Sequence, residues 1–288
     1  MQHRRLLILL IVIIVVVSIP ITGFIFFQLS NQVDSDENPN DIMIAIYNGP
    51  GVIEDADIIL SHFSEWSGIE YKVIDDEDIR NDALLEVDVV IMPGGDGIPY
   101  EEGLGSLGRA KIVDFVESGG GYVGICQGAY IACEYNVWMD EAGSPENNLG
   151  IFPGVACGPI LELAERPEPG WGMAVLNIIN TTHPITYSAP ERMTMYYQGG
   201  CFLELSDNKS VTVLALYNAT EKIAIATCEY GQGRVFITGT HPEIEEDNDR
   251  DGVDYPDPEF GPYDPESDWP LLRDAVKWVS RFNFNQTS

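Results

Sequence analysis

Residues 119–130 read Gly-Gly-Gly-Tyr-Val-Gly-Ile-Cys-Gln-Gly-Ala-Tyr (GGGYVGICQGAY), and this stretch decides the fold. The glycine triplet Gly119-Gly120-Gly121 stops the helix expected over residues 107–117; residues 122–125 then form a short apolar strand, and a new helix begins directly after Cys126. A nucleophile on so sharp a strand-to-helix turn needs small residues two positions before and two after it, because the backbone folds back on its neighbours. Gly124 and Gly128 occupy those positions. The turn presents Sγ at the carboxyl end of the sheet and at a helix N-terminus, where partial positive charge favours thiolate. Taken alone, Gly-x-Cys-x-Gly also fits a buried cysteine at a tight turn.

On either side of this turn, short apolar runs alternate with helix-length amphipathic stretches. Residues 42–47 (IMIAIY), 71–74 and 87–92 (VDVVIM) read as buried strands and residues 53–66 as a helix. This alternation predicts an α/β fold, a doubly wound, mostly parallel, flavodoxin-like sheet covered by helices on both faces. Beyond Gly150 the pattern changes to strands bounded by Gly, Pro and Asn, at 173–179, 193–197, 211–217, 223–228 and 234–238, which predicts a β-rich second half. Residues 270–282 close the domain as an amphipathic helix.

A thiol nucleophile needs a base and a carboxylate to orient it. The strand at 234–238 is followed by Thr240-His241-Pro242-Glu243, and in extended chain residues i and i+2 point to the same side. Glu243 can then accept from one ring nitrogen of His241 while the other faces sulfur. His3, His62 and His183 lack such a setting. The turn Pro93-Gly94-Gly95 ends the third strand; the backbone amides of Gly94 and Gly95, with that of Gln127, are the candidate oxyanion hole, against the alternative of a glycine turn that only lets the chain leave the sheet.

These motifs in order resemble the class I glutamine amidotransferase-like superfamily, whose triad is Cys-His-Glu. PGGDGIPY (93–100), GGGYVGICQGAY (119–130), YYQGGCF (196–202) and YGQGRVFITGTHPE (230–243) are most similar to the amidotransferase-like domain at the N-terminus of eukaryotic biotin-protein ligases and in stand-alone prokaryotic proteins. The resemblance implies Cys126 as nucleophile, His241 as base and Glu243 as orienter, with no cofactor required. Two departures follow from it. The superfamily's glutaminases continue the elbow as C-x-G-x-Q, and Tyr130 stands at the last position, so this substrate-pocket residue argues against glutamine. No segment resembles the Gly-Arg-Gly-Arg biotin-binding loop, so the chain is not expected to ligate biotin.

Charge and the N-terminus frame the biology. With 15 Lys plus Arg against 46 Asp plus Glu, the net charge is −31, which repels polyanions and excludes nucleic acid as a partner. Residues 6–27 form a run of 22 without a charge, enough to cross roughly 30 Å of hydrocarbon at about 1.5 Å per residue. Arg4 and Arg5 before it and Asp34, Asp36 and Glu37 after it predict residues 1–5 in the cytoplasm, 6–28 as a membrane anchor, 29–41 as an acidic linker and the domain of residues 42–283 outside the cell. A cleaved signal peptide is the alternative; the length of the run and bulky Phe24, Phe26 and Phe27 at its end favour the anchor. Acceptor tripeptides at Asn180, Asn208, Asn218 and Asn285 agree with an exterior, glycosylated domain. The acidic loop 245–268 opens with Asp247, Asp249 and Asp251 in the first half of a calcium-loop pattern, whose twelfth position is Pro258, so Ca²⁺ is the one candidate cofactor and a solvated loop the alternative. With Cys126 free, Cys133, Cys157, Cys201 and Cys228 allow two disulfides in three connectivities, or buried free thiols. Two function classes remain. One is a cysteine hydrolase or amidotransferase acting on a small amide or peptide; the other is a ligand-binding or scaffold domain of the same fold.

Overall fold

The strand IMIAIY, β1 (Ile42–Tyr47), is buried at five of its six positions, as expected of a strand covered on both faces. It belongs to a computed structural model that describes residues 41–53, 59, 63, 66–163, 171–206, 211–244 and 267–281. The expected membrane helix and most of its linker, most of the helix expected at 53–66, the acidic loop with Asp247, Asp249 and Asp251, and Asn208 and Asn285 lie outside the described residues. Among the described residues no helix is long and apolar enough to cross a membrane, and no cluster of His, Cys, Asp and Glu could hold a metal. The chain divides into two units at Asp41, and all the elements that follow belong to the second.

After β1 come β2 (Ile69–Ile74), α1 (Asp76–Arg80), β3 (Val89–Met92), α2 (Gly97–Glu117), β4 (Gly121–Ile125) and α3 (Gln127–Ala132). Then follow β5 (Cys133–Trp138), β6 (Glu141–Ala142), β7 (Phe152–Gly158), β8 (Trp171–Ile178), β9 (Arg192–Gln198), β10 (Phe202–Leu205), β11 (Val211–Tyr217), β12 (Ile223–Tyr230), β13 (Gly233–Thr238) and α4 (Trp269–Val279). One sheet runs β2-β1-β3-β4-β13-β12-β10-β7-β5-β6, with β11 on β12, then β8 and β9. Its first five positions repeat the 2-1-3-4-5 order of flavodoxin-like sheets, the fifth place being filled by β13 from the far end of the chain.

Residue parity shows why both faces are covered. Ile44, Ile46, Val89, Ile91, Val123, Ile125 and Phe236 share one core with Leu272, Ala275, Val276 and Val279 of α4. Ala45, Tyr47, Val90, Met92, Tyr122, Val235 and Ile237, their immediate neighbours, enter the opposite core with Leu104 and Ile112 of α2 and Ala129 of α3. α4 is tied down at Trp278, whose ring lies 4.8 Å from the Arg234 guanidinium and whose carbonyl accepts from Arg234 at 2.9 Å.

The structure corrects several expectations. Five strand pairings are parallel (β1 with β2 and β3, β4 with β3 and β13, β5 with β7) and seven are antiparallel among the described strands, so the mostly parallel sheet holds for the first half only. The fold is mixed α/β and dominated by sheet. The helix expected at 107–117 begins ten residues earlier, at Gly97, capped by Asp96, whose side chain accepts from the Ile98 amide at 3.3 Å, and it kinks at Gly105 (φ 57°). The elbow helix is short, ending at Ala132, and the chain passes directly into β5 at Cys133. All five cysteines are free, so none of the three disulfide connectivities is present. Burial pushes the Cys133 and Cys201 thiols well up, Cys157 up to about 11 and Cys228 up to about 12.

Candidate active site

Parallel neighbours end at the same edge. Ile125 of β4 lies beside Thr238 of β13, and Gly124 lies beside Met92 of β3. The segments that leave these strand ends, residues 93–96, 126–127 and 239–243, therefore meet at one rim, where open α/β sheets place ligands.

Cys126 sits at φ 49° and ψ −103°, a conformation a non-glycine residue seldom holds. Three hydrogen bonds fix it there: its amide donates to Thr238 O at 2.9 Å, the Gly128 amide donates to Pro93 O at 3.2 Å, and the Tyr122 hydroxyl donates to Gly128 O at 2.6 Å. The small residues that the elbow requires have physical neighbours. A Cβ on Gly124 would stand 2.5 Å from Gly128 O, and one on Gly128 only 1.9 Å from Met92 O.

His241 is anchored by its amide, which donates to Tyr196 O at 2.9 Å, and its ring packs 5.8 Å from the Tyr196 ring. Nδ1 lies 2.8 Å from Glu243 Oε1, and the Cys126 side chain lines the same cavity and acts electrostatically on the imidazole. The pairing of His241 with Glu243 arises in a turn closed by the Ile244 amide donating to His241 O at 3.3 Å, not in extended chain as the spacing suggested. His241 is 3% exposed and Glu243 fully buried. Burial opposes the charged imidazolium; the Glu243 carboxylate and the nearby Cys126 sulfur outweigh it and hold His241 well above its ordinary value.

Cys126 and His241 both open into a cavity of about 480 Å³. Gly95, Gln127 and Tyr130 line it too, whereas Gly94 is buried outside the lining. Tyr130 is a buried wall: its hydroxyl donates to Gly199 O at 3.0 Å, and its ring meets Trp138 edge-on at 6.0 Å. Trp138 and Gln198, which sequence reading did not single out, complete one side. Gln198 O accepts from Cys126 Sγ at 3.5 Å. Gln198 begins the Gln-Gly-Gly-Cys segment of the YYQGGCF motif, and its signal was the same as that of Pro93-Gly94-Gly95, two glycines directly after an apolar strand. Trp138 lies on β5, a half-buried strand without alternation, and carried no such signal.

Three buried tyrosines pin that segment. The hydroxyls of Tyr130, Tyr197 and Tyr217 donate in turn to the carbonyls of Gly199, Gly200 and Cys201, at 3.0, 2.6 and 2.7 Å. A Cβ on Gly200 would stand 1.7 Å from Gly239 O, so the segment is seated on the approach to His241. Tyr217→Phe would leave the buried Cys201 carbonyl without this donor and is expected to cost about 1–3 kcal/mol in urea unfolding. A change within about 0.5 kcal/mol, the range of ordinary surface substitutions, would show that the clamp carries no stability.

A thiol sharing a cavity with an imidazole that is in turn held by a buried carboxylate is an arrangement able to move a proton off sulfur and on to a leaving group. Comparison with known proteins agrees with this architecture. Residues 42–256 match the family described as biotin-protein ligase, N terminal. An uncharacterized protein of Chlamydia muridarum (strain MoPn / Nigg) is 32% identical over 161 residues, 54% of this chain and 60% of that protein. The biotin-protein ligase of Schizosaccharomyces pombe (strain 972 / ATCC 24843) is 30% identical over 169 residues, 54% of this chain and 25% of the ligase. The match thus spans less than two thirds of either relative. The structure of PurLQS from Thermotoga maritima superposes with a TM-score of 0.52 at 18% identity, covering 83% of this chain and 99% of that one, a likeness of fold. The match over residues 42–256, well over half of the 288, establishes that the chain belongs to the biotin-protein ligase N-terminal domain family, with an amidotransferase-like fold.

Proposed function

We propose that this protein is a cysteine-dependent amide hydrolase or amidotransferase, acting on an amide substrate through Cys126, His241 and Glu243. The placing of Cys126 with His241, itself paired to buried Glu243, in the lining of one 480 Å³ cavity carries this reading. Sγ gives its proton to His241 and attacks the amide carbonyl, forming a C–S bond. The imidazolium returns the proton to the nitrogen as the C–N bond breaks, releasing an amine. Water, deprotonated by the same imidazole, then cleaves the thioester to a carboxylic acid and restores the thiol; an amine in place of water gives transfer. Glu243 holds the ring in its orientation. Gly95 and Gln127 line the same cavity, so their amides are the donors proposed for the developing oxyanion, with Gly94 contributing to the shape of the turn.

Tyr130 supports an amide other than glutamine, since its hydroxyl is committed to Gly199 O and walls the site. The uncharged run at residues 6–27, with arginines before it and acids after it, supports a reading in which the domain is tethered at the outer face of a membrane.

Alkylation tests the nucleophile. In the whole chain at neutral pH, iodoacetamide followed by mass spectrometry is expected to modify Cys126 first, ahead of half-buried Cys157 and well ahead of Cys133, Cys201 and Cys228. Amide hydrolysis that Cys126→Ala abolishes would complete the assignment. Equal rates at Cys126 and Cys157 would leave a ligand-binding scaffold.

A further inference from the structure

The cavity has a charge character that the triad does not explain. Apart from Cys126, His241 and Tyr130, its ionisable lining residues are Asp96 and Glu101, both acidic, and no Lys or Arg lines it among the described residues. The two acids stand at the start of one helix, Asp96 as the N-cap of α2 and Glu101 five residues on. Trp138, also in the lining, is 49% exposed, and its outer ring atoms would touch a Cβ placed on Gly199. Two carboxylates and an open indole in one cavity lining are the composition that seats an organic cation, by ion pairing and by attraction to the ring.

Glu101 strengthens the case. Burial pushes its carboxyl up, while donors on Asn136 and Asn147 and the charge of Arg109 pull the other way. A partly desolvated carboxylate gains more from a bound cation than one in water. Arg109 itself donates to the Glu101 backbone carbonyl at 3.1 Å and is not part of the lining. Among the described residues the lining also holds no Lys or Arg to meet the carboxylate of a free amino acid, and its one histidine, His241, is paired with Glu243.

We propose that the site selects amides bearing a primary ammonium or guanidinium group, seated between Asp96, Glu101 and the exposed indole of Trp138, within reach of Cys126. The proposal rests on the reading of Cys126 as the nucleophile and deepens it by naming the substrate class.

Three chloroacetamides of equal chain length, ending in an ammonium, a methyl and a carboxylate, serve as probes on the intact chain. Rates of alkylation are read at each cysteine by mass spectrometry. The ammonium probe is expected to modify Cys126 about tenfold faster than the methyl probe, and the carboxylate probe slowest, an order set by close charge pairing. Because the net charge of −31 attracts every cation, the ammonium-to-methyl ratio at Cys126 must exceed the ratio at Cys157, which lies outside the cavity. In Asp96→Asn/Glu101→Gln the Cys126 ratio is expected to fall to that of Cys157, and in the wild type it is expected to shrink at high salt. Equal ratios at Cys126 and Cys157 in the wild type would overturn the substrate class while leaving the nucleophile standing. A methyl probe that alkylates Cys126 no faster than Cys157 would instead remove the nucleophile.

Discussion

His241→Ala will slow alkylation of Cys126 about tenfold at pH 7, and it will lower turnover of an amide substrate by about 10²- to 10⁴-fold, the usual contribution of a positioned acid–base group. The two readouts differ because alkylation needs only the sulfur proton removed, whereas acyl transfer also needs that proton delivered to the leaving nitrogen. Glu243→Gln keeps the size of the side chain and removes its charge, so its effect should lie between wild type and His241→Ala. The pH dependence has a definite sign. In the folded chain the imidazole is held well above its unfolded value of about 6.5, mainly by Glu243 against the opposing effect of burial, so protonation favours the folded state. That stability is fully present below pH 6.5 and is lost as pH rises through the folded value. The thermal midpoint of the wild type is therefore expected to fall on going from pH 6.5 into the alkaline range, and the fall should be shallower in Glu243→Gln. A Glu243→Gln profile parallel to the wild type would mean that the carboxylate does not hold the ring charged.

The shared rim of Cys126, His241 and Glu243 was legible because these residues follow strand ends, where sequence carries two signals at once: an apolar run and the small residues required by a turn. Gly124 and Gly128 flanking Cys126, and Gly239 before His241, each stand where a side chain would strike backbone, at Gly128 O, Met92 O and Cys201 O. The cavity wall around Trp138 was harder to read. Trp138 sits on β5, whose burial is intermediate from Glu134 to Val137, so neither alternation nor a continuous apolar run marks it as a strand. β7 contains Pro153 and Gly154 and reads as loop from composition, yet it pairs with both β5 and β10. The placing of β13 beside β4 is a contact between segments more than a hundred residues apart, and periodicity along the chain says nothing of such pairings. Only chemistry makes the rim legible in sequence: a thiol nucleophile needs a base, and a histidine–carboxylate pair at another strand end can supply one.

Gly128→Ala separates steric collision from backbone strain in the elbow. Gly128 does not have a positive φ, so alanine is conformationally permitted there, but its Cβ would stand 1.9 Å from Met92 O and 2.8 Å from Met92 C. Neither atom is the end of a flexible side chain. Relief requires moving α3 away from the end of β3, which would break the bond from the Gly128 amide to Pro93 O. The expected cost exceeds about 3 kcal/mol, at the upper end for overpacking substitutions. Gly150→Ala is the control with the opposite properties. Its φ is 65° but nothing lies within 4 Å of the added Cβ, so it should cost only about 1 kcal/mol, the penalty for a left-handed residue. Urea unfolding of the two variants against wild type measures both numbers. Similar small losses would mean that β3 and the elbow can separate without consequence, and the turn at Pro93-Gly94-Gly95 would then not be held in fixed register with Cys126. A large loss confined to Gly128→Ala would show that the close approach of Met92 O to the elbow joins the two halves of the rim, which is the condition for an oxyanion turn and a nucleophile to act on one carbonyl.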